Sequence, residues 1–449
     1  MYLAITDGTT TIALSGTSPV LGCTYYPATA QRSGGAYQPV TETAEINLRG
    51  TAAAMRTTIN AIEDMLQAAI QRQARGVGER VFVLYKPVDG DSAAYRSEVL
   101  DGRVMLSNEP MLRRFGDTSP TIRIGVIWQR AHWWEGALTE LSISANGQAA
   151  ATGGRTIYND PANGNWLQIA ADQVTGVLPA PVRLELFNTT GASKNYRKVF
   201  LGVNANSDPA NLTHFLQAEA RLSGGTLSAD ATCSGSGNNR LDFTASTITF
   251  SWTLPAATLQ KTRGRVFRIL ARFASYFGAM YITPHIADAN GTIIWTGDEV
   301  AMDAVGGETW RDLGAVSLPP GGYATDYGAH RLVLVFRGGA LVQLDVLQLT
   351  ATDSYRYLEM PATGVAVPNA GAIVHDGIEG TASVLSGVGG TRTALASSYG
   401  GPLTLEPGTL QRIYVLNQIY TGLSGGAGEA PIGGAINARA YYRPRRLTV

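Results

Sequence analysis

Five acidic side chains lie close together in the sequence, between positions 298 and 312. Two carboxylates held about 5 Å or about 6.5–9.5 Å apart can hydrolyse a glycosidic bond. Carboxylate oxygens on a loop are also ligands that Ca²⁺ prefers. Because the sequence gives no distances, three interpretations stay open: a solvated loop, a calcium site and a catalytic pair. We assign no catalytic residue and take Asp298, Glu299 and Asp303 as candidate calcium ligands; the other two acidic residues are Glu308 and Asp312.

Aromatic side chains are numerous in the segment 196–357, and several fall near predicted turns. The apolar C–H faces of a sugar ring stack on exposed aromatic rings, while neighbouring polar side chains bind its hydroxyls. Trp252 and Trp295 lie within strand patterns, so we expect both of them in a core. Residues near turns are the candidates for carbohydrate binding, and partial packing into the core is the alternative for each. They are Tyr276, Phe277, Trp310, Tyr323 and Tyr327.

Other residue types with catalytic or metal-binding chemistry are scattered along the chain. The sequence has no HExxH, GxSxG, Walker or strand-associated GxGxxG pattern. Cys23 and Cys233 lie too far apart in sequence to indicate a disulfide framework or a zinc site. We therefore expect no enzyme activity and no cofactor other than the calcium considered above. The five histidines stand at positions 132, 214, 285, 330 and 375.

Composition argues against several classes of protein. The 449 residues are 45% hydrophobic, which suits two to four domains with packed cores and argues against disorder. Charged residues make up 16%, below the usual level of about 25%, and this argues against a long coiled coil. The 35 basic and 35 acidic residues cancel, so binding of nucleic acid by bulk charge is not expected. The closing Arg443, Arg445 and Arg446 fit an interface or a salt-bridged edge strand better than a nucleic-acid site.

Targeting and membrane signals are not found in the sequence. It has no apolar run of about 18 residues, so we expect no transmembrane helix and no membrane insertion. The first residues lack the basic and apolar regions of a signal peptide. We therefore expect a soluble chain that is made in the cytoplasm.

Short strands are predicted over most of the chain, and one helix interrupts them. Asp7-Gly8 between two apolar stretches predicts a β-hairpin, and residues 38–48 alternate as a longer strand. From 51 to 74, apolar residues recur every three or four positions, which predicts an amphipathic helix. The predicted core face of this helix is Met55, Ile59, Ile62 and Leu66.

These elements predict a mainly β fold with three domains. Residues 1–136 are expected to form a β-sandwich with the single helix. Residues 196–357 have a complete set of strand and turn signals, typical of a jelly-roll. The segment 137–195 is too short for a stable sandwich by itself. Joined to 358–449 it reaches the usual size, so we expect the jelly-roll to be inserted into a discontinuous second β-sandwich.

The order of elements in residues 1–136 resembles the N-terminal belt domain of distal tail proteins and related minor tail proteins of tailed phages. The shared features are the first hairpin, the long strand, the single helix, the YRSEVLDGRV segment at 95–104 and the closing RAHWWEG at 130–136. YGGPLTLEPG at 399–408 and AYYRPRR at 440–446 are similar to the last strands of the galectin-like second domain of these proteins. The inserted segment looks like a jelly-roll carbohydrate-binding module. The large insertion into the second domain departs from the basic pattern.

This resemblance implies a structural virion component of the tail tip or baseplate, made in the host cytoplasm. Such a chain would form a ring, hexameric by resemblance, that joins the tail tube to tip and hub proteins and contributes to host adsorption by binding a surface glycan. It implies no membrane insertion and no sequence-specific nucleic acid. Two alternatives stay open: a free-standing sugar-binding or adhesin protein, and a glycan-processing enzyme.

Overall fold

The structure is a computed structural model, and it describes most of the chain. The described residues are 1–87, 94–106, 121–160, 164–205, 215–231, 233–234, 239–244, 247–256, 259, 266–302, 305–306, 309–318, 329–339, 341–361, 363–387, 389–395, 397–420 and 435–449.

The fold is mainly β with one long α-helix, which confirms the predicted fold class. Residues cluster into two compact units. The first unit comprises Met1–Leu138, Thr175–Leu178 and Arg443–Val449, and the second comprises Thr139–Val174 and Pro179–Tyr442. Among the described residues, no helix has the length and apolar character needed to cross a bilayer.

The strands and the helix have the following bounds in chain order. Up to Glu135 they are β1 (Tyr2–Thr6), β2 (Thr11–Ala13), β3 (Val20–Thr24), β4 (Arg32–Ser33), β5 (Ala36–Tyr37), β6 (Val40–Arg49), α1 (Ala52–Arg75), β7 (Phe82–Lys86), β8 (Tyr95–Leu106), β9 (Thr121–Arg130) and β10 (Trp134–Glu135). Next come β11 (Thr139–Glu140), β12 (Ile143–Ala145), β13 (Gln148–Ala151), β14 (Arg155–Tyr158), β15 (Trp166–Ile169), β16 (Ala180–Phe187) and β17 (Lys194–Ala205).

The inserted region and the closing part contain the remaining strands. They are β18 (Phe215–Gln217), β19 (Thr226–Ala229), β20 (Asn239–Phe243), β21 (Thr247–Leu254), β22 (Val266–Phe277), β23 (Met280–Ala287), β24 (Ile293–Thr296), β25 (Val300–Met302), β26 (Val305–Gly306), β27 (Thr309–Ser317), β28 (His330–Gly338) and β29 (Leu341–Ala351). After them come β30 (Tyr355–Glu359), β31 (Val365–Val367), β32 (Ala372–Asp376), β33 (Thr381–Leu385), β34 (Arg392–Ala394), β35 (Ser397–Gly400), β36 (Thr404–Leu405), β37 (Gln411–Tyr420), β38 (Ala435–Tyr442) and β39 (Arg445–Arg446). Two 3-10 turns cover Ala218–Ala220 and Thr352–Ser354.

The first unit is built on one antiparallel sheet, sheet 1. Its strands run in the order β2-β1-β7-β8-β9-β6-β3, so β2 and β3 are its two edges. The predicted hairpin is β1–β2, and the Asp7 carboxylate accepts backbone N–H bonds from Thr9 and Thr10 at 2.8 and 2.6 Å. These bonds stabilise the charged carboxylate and lower the pKa of Asp7.

The helix α1 packs on β8 of this sheet. The Thr51 hydroxyl caps its first turn by accepting from the Ala54 N–H, and Gly76 ends it in the left-handed conformation at φ 68°. On the face that the periodicity predicts, Met55, Ile62 and Leu66 are buried and Ile59 is partly buried. The close approach needs a glycine in β8, because a Cβ at Gly102 would lie 2.6 Å from the Leu66 side chain.

The last strand of the chain completes the first unit. β39 pairs with β10, and the Arg445 guanidinium donates to the buried carboxylate of Glu135 at 2.8 Å. The same guanidinium lies over the Trp133 ring, 4.2 Å from its centroid. Arg96 binds the other carboxylate oxygen of Glu135 at 3.0 Å. Arg445 therefore belongs to a salt-bridged strand, one of the two expectations for the basic terminus.

The second unit is a stack of four sheets. Sheet 2 has the order β11-β38-β16-β32-β33-β34, and sheet 3 has the order β13-β12-β15-β37-β17-β30-β35. Sheet 4 has the order β19-β20-β29-β22-β26, with β18 on β29 and β27 on β22, and sheet 5 has the order β21-β28-β23-β24, with β25 on β23. One apolar core fills the space between sheets 2 and 3, and a second fills the space between sheets 4 and 5.

A third apolar cluster joins sheet 3 to sheet 4, so sheets 4 and 5, called the inserted sandwich below, pack on sheets 2 and 3 within the second unit. Its buried members are Phe200, Leu270, Trp310, Val346, Tyr355 and Leu416. Residues 196 and 357, the expected boundaries of the insertion, lie within β17 and β30. β17 and β30 pair with each other in sheet 3, and the strands of sheets 4 and 5 lie between Phe215 and Ala351. The division into three domains stays a prediction.

Replacing Ile62 with Ala should lower the free energy of unfolding by about 2–5 kcal/mol, because it leaves a cavity under a fully buried side chain. Chemical denaturation of the full chain measures this change. Gln67→Ala, at an exposed position of the same helix, is the control and should change stability by less than about 0.5 kcal/mol. Equal effects of the two substitutions would contradict the burial of this helix face.

Mild acid should destabilise the second unit through His375. This side chain is 3% exposed, and neither ring nitrogen has a hydrogen-bond partner among the described residues. Burial, with the nearby charge of Arg356, lowers its pKa to about 4. The unfolded chain takes up the proton near pH 6.5 and the folded chain does not. Stability is therefore complete above pH 6.5 and falls by about 3 kcal/mol as the pH drops towards 4.

Denaturation of wild-type and His375→Leu chains at pH 7 and pH 5 tests this expectation. Leucine removes the titrating group and keeps an apolar side chain in the core, so the variant should lose less stability on acidification than the wild type. Identical losses in the two chains would show that His375 does not cause the acid sensitivity.

Candidate functional site

An exposed aromatic surface lies at one end of the inserted sandwich. β22 of sheet 4 ends at Phe277, and β23 of sheet 5 begins three residues later at Met280. The chain returns from sheet 5 to sheet 4 between β28 and β29. At this end β28 pairs with β23, which places Arg337 beside Tyr281, and β29 pairs with β22, which places Leu341 beside Phe277. Phe277 is 54% exposed, and Tyr281 and Leu341 are each 36% exposed. The two crossings thus bring these side chains to the same end of the sandwich.

An ion pair holds the polar side of this surface in place. The Arg337 guanidinium lies 4.3 Å from the centroid of the Tyr281 ring. The same guanidinium donates to both carboxylate oxygens of Glu299, at 2.9 and 3.0 Å. Because the pair is exposed to solvent, it contributes at most about 1 kcal/mol to stability, and its main effect is to fix the orientation of both groups. A sugar ring on Tyr281 would find a cation and a carboxylate beside it.

The rest of the sheet 5 face around Tyr281 is polar. β23 alternates, with Met280, Ile282 and Ile286 buried, so Thr283 and His285 lie on the same outward face as Tyr281. His285 Nδ1 lies 2.9 Å from the Thr296 hydroxyl, and partial burial lowers the pKa of the imidazole. A neutral imidazole with a fixed hydroxyl neighbour can exchange hydrogen bonds with sugar hydroxyls.

The predicted carbohydrate-binding residues differ in their exposure and in whether the structure describes them. Phe277 is exposed, as a binding residue must be. The backbone of Tyr276 belongs to β22, but its side chain lies outside the described part of the chain. Tyr323 and Tyr327 also lie outside the described residues.

The expectation that Trp310 lies near a turn with an accessible ring is wrong. Trp310 is in β27 and is fully buried in the cluster between sheets 3 and 4. The strand is covered on both faces, since Trp310 packs against sheet 3 while Leu313 and Val316 pack against sheet 5. Its pattern therefore lacks the polar alternation that marks a half-exposed strand.

Tyr281 is the binding candidate that sequence reasoning missed. The available signal was the alternation in β23: buried Met280, Ile282 and Ile286 imply that Tyr281 faces solvent. Proximity to turns predicted exposure less well than the alternation of residues along a strand. An aromatic ring within a strand is exposed whenever the face of the sheet on which it lies is in contact with solvent.

Two of the three described members of the acidic cluster form ion pairs. Glu299 binds Arg337, and Asp312 binds Arg268 at 2.6 Å. Asp298 is exposed, whereas Asp303 and Glu308 lie outside the described residues. Within the described part of the chain, no group of three or more His, Cys, Asp and Glu side chains is arranged to hold a metal ion. The calcium site stays a prediction.

Comparisons with known proteins give no family assignment. No protein-family model and no curated protein matches the sequence. Among solved structures, the enzymatically active domain of tailspike protein 4 from bacteriophage CBA120 is 10% identical with a TM-score of 0.20, over 34% of this chain and 19% of that one. An isomalto-dextranase from Arthrobacter globiformis in complex with panose is 14% identical with a TM-score of 0.16, over 60% and 34%.

A third solved structure is from the virus of infectious bursal disease, strain Gx. It is 9% identical with a TM-score of 0.16, over 68% of this chain and 80% of that one. The chain thus spans about a fifth and a third of the first two proteins. TM-scores this low do not establish a shared fold, so the functional argument depends on the residues of this chain.

Replacing Phe277 or Tyr281 with Ala should weaken binding to a glycan by about two- to twelvefold, if each stacked ring contributes about 0.5–1.5 kcal/mol. Binding of the purified chain to an array of bacterial surface polysaccharides measures this. Tyr2→Ala is the matched control, because Tyr2 is a 36% exposed ring in the first unit, on β1, which lies between β2 and β7 rather than at an edge of sheet 1. Loss of binding in the control, or full binding in both variants, would show that the surface does not bind glycan.

Proposed function

We propose that this chain is a structural component of a phage tail tip, in which copies form a ring that joins the tail tube to tip and hub proteins. Two kinds of observation support this proposal. The sequence of 1–136 resembles the belt domain of distal tail proteins. The first unit has three of the shared elements, namely a first hairpin, a long β6 and one helix.

The main structural support for assembly into a ring is that both edge strands of sheet 1 are unpaired on their outer sides. β2 and β3 lie at opposite ends of the strand order, and no described strand pairs with the outer side of either one. On the β3 side, Leu21 is 57% exposed and Tyr26 is 82% exposed. An edge with exposed apolar side chains is a template for another strand. Two different edges that meet in neighbouring copies make a heterologous contact, which closes into a ring when the rotation allows it.

The ring of protein copies would also bind a glycan on the host surface, through the aromatic surface of the inserted sandwich. Phe277 and Tyr281 offer rings, and Arg337 and Glu299 offer charged hydrogen-bonding groups beside them. Copies in a ring would engage several glycans at once, so weak single sites would combine into a stable attachment. This mechanism needs no catalytic residue and no cofactor.

The same surface favours a second candidate, a free-standing sugar-binding protein. The two candidates differ in their oligomeric state. A ring needs sheet 1 to pack against copies of itself, whereas a free adhesin needs only the sheet 5 surface.

Light scattering during gel filtration should give the wild-type chain a mass several times that of one chain. Leu21→Glu should reduce this to the monomer mass, because a charge on β3 opposes strand pairing between copies. Val77→Glu is the matched control: Val77 is 63% exposed in the same unit, just beyond the end of α1, and its substitution should leave the assembly intact. A monomeric wild type would contradict the ring, and an assembled Leu21→Glu variant would contradict this edge as the interface.

A further inference from the structure

A cleft of about 220 Å³ lies where sheets 3, 4 and 5 of the second unit meet. Pockets for drug-sized ligands occupy about 300–1,000 Å³, so this one suits a smaller ligand, about one monosaccharide residue. β25 contributes Val300, Ala301 and Met302 on one side. The remaining lining residues are Lys198, Phe200, Arg311, Asp312 and Tyr357.

A ladder of aromatic rings leads from the core to the cleft and on to solvent. Phe200, Tyr357 and Tyr399 occupy paired positions on β17, β30 and β35. The first two rings stack at 4.9 Å between centroids and 14° between planes, and the second pair at 5.9 Å and 21°. Phe200 is buried, Tyr357 lines the cleft, and Tyr399 on the edge strand is 56% exposed. The ladder therefore offers a rigid aromatic surface at the cleft.

The carboxylate in the cleft is already used within the chain. Asp312 Oδ2 accepts from Arg268 Nε at 2.6 Å and from the Tyr355 hydroxyl at 2.9 Å, and Oδ1 accepts from the Gly314 N–H at 2.9 Å. Burial, followed by the charge of Asp312, raises the pKa of Tyr355, so the phenol keeps the proton that it donates. Asp312 thus has little capacity left for a ligand.

The charged donors of the cleft are consequently Lys198 and Arg311. Both residues also interact within the chain. An ammonium group has three N–H donors and a guanidinium group has five, so each can serve an intramolecular partner and a ligand together. Two cations beside a carboxylate that already has its own partners favour an anionic ligand. The apolar wall and the aromatic rings favour a ligand that also has a cyclic, partly apolar body.

We propose that this cleft binds a sugar residue that carries a carboxylate. The apolar face of the sugar lies against the Tyr357 ring and the Val300–Met302 wall, and its carboxylate accepts from Lys198 and Arg311. An inorganic anion would leave the Tyr357 ring and the Val300–Met302 wall without a contact, and a neutral sugar would form no charge-assisted hydrogen bond with the two cations. The site shares no residue with the Phe277 surface, so it does not depend on the proposed function.

Titration calorimetry of the full chain with methyl β-D-glucuronide and methyl β-D-glucoside tests the proposal. The glucuronide should bind at least about tenfold more tightly, because charge-assisted hydrogen bonds contribute about 1.5–3 kcal/mol. Arg311→Gln should remove most of this preference. Tyr357→Ala removes the ring that lines the cleft and should weaken binding of both sugars. Ala301→Leu, at an exposed position of the wall, should block the cleft without touching the core.

Two control variants separate this site from the rest of the inserted sandwich. Arg331→Gln removes a charge from the open face of sheet 5, and Ile294→Ala removes a 52% exposed apolar side chain from β24; both variants should bind glucuronide as the wild type does. The proposal is overturned if the folded chain binds neither sugar, if it binds both equally, or if Ala301→Leu leaves glucuronide binding unchanged.

Discussion

The burial of both faces of β17 is the constraint on which the second unit depends. Val199, Leu201 and Val203 face the core shared with sheet 2, while Phe200 faces Trp310 and Leu270 of sheet 4. A strand in this position cannot present a polar face to water, so its sheet must be covered on both sides. The inserted sandwich provides the second cover. The stack of four sheets, the cleft where sheets 3, 4 and 5 meet and the aromatic ladder all follow from this packing.

Local patterns in the sequence predicted elements well and long-range pairing poorly. The helix was predictable because residues such as Met55 and Ile62 repeat at helical spacing within one continuous segment. The boundary strands β17 and β30 were not, because they pair across a separation of about 150 residues, which no local pattern encodes. Trp310 shows the related failure in the candidate site: its burial depends on a sheet contributed by other parts of the chain.

Low charge content does not mean that charges are confined to the surface. Arg130 and Glu42 form a fully buried pair at 2.7 Å in the first unit, with the Tyr25 hydroxyl and the Trp128 indole donating to the same carboxylate. Arg272 and Asp345 form another in the second unit, where Ser234 donates to the aspartate. Such pairs contribute little net stability, but removing one partner leaves a buried charge and is strongly destabilising. Each pair joins two neighbouring strands, β6 with β9 and β22 with β29.

The pairing of β39 with β10 has a consequence for synthesis. Glu135 in the first unit cannot form its ion pair with Arg445 until Arg445 has left the ribosome, about 300 residues later. During that interval the carboxylate has only Arg96 as its ionic partner among the described residues, and the strand that covers Trp134 is missing. Domains at the start of a nascent chain commonly fold first. Here the first unit cannot reach its final form until Arg445 has been translated, so a chain truncated before this residue would have an incomplete first unit.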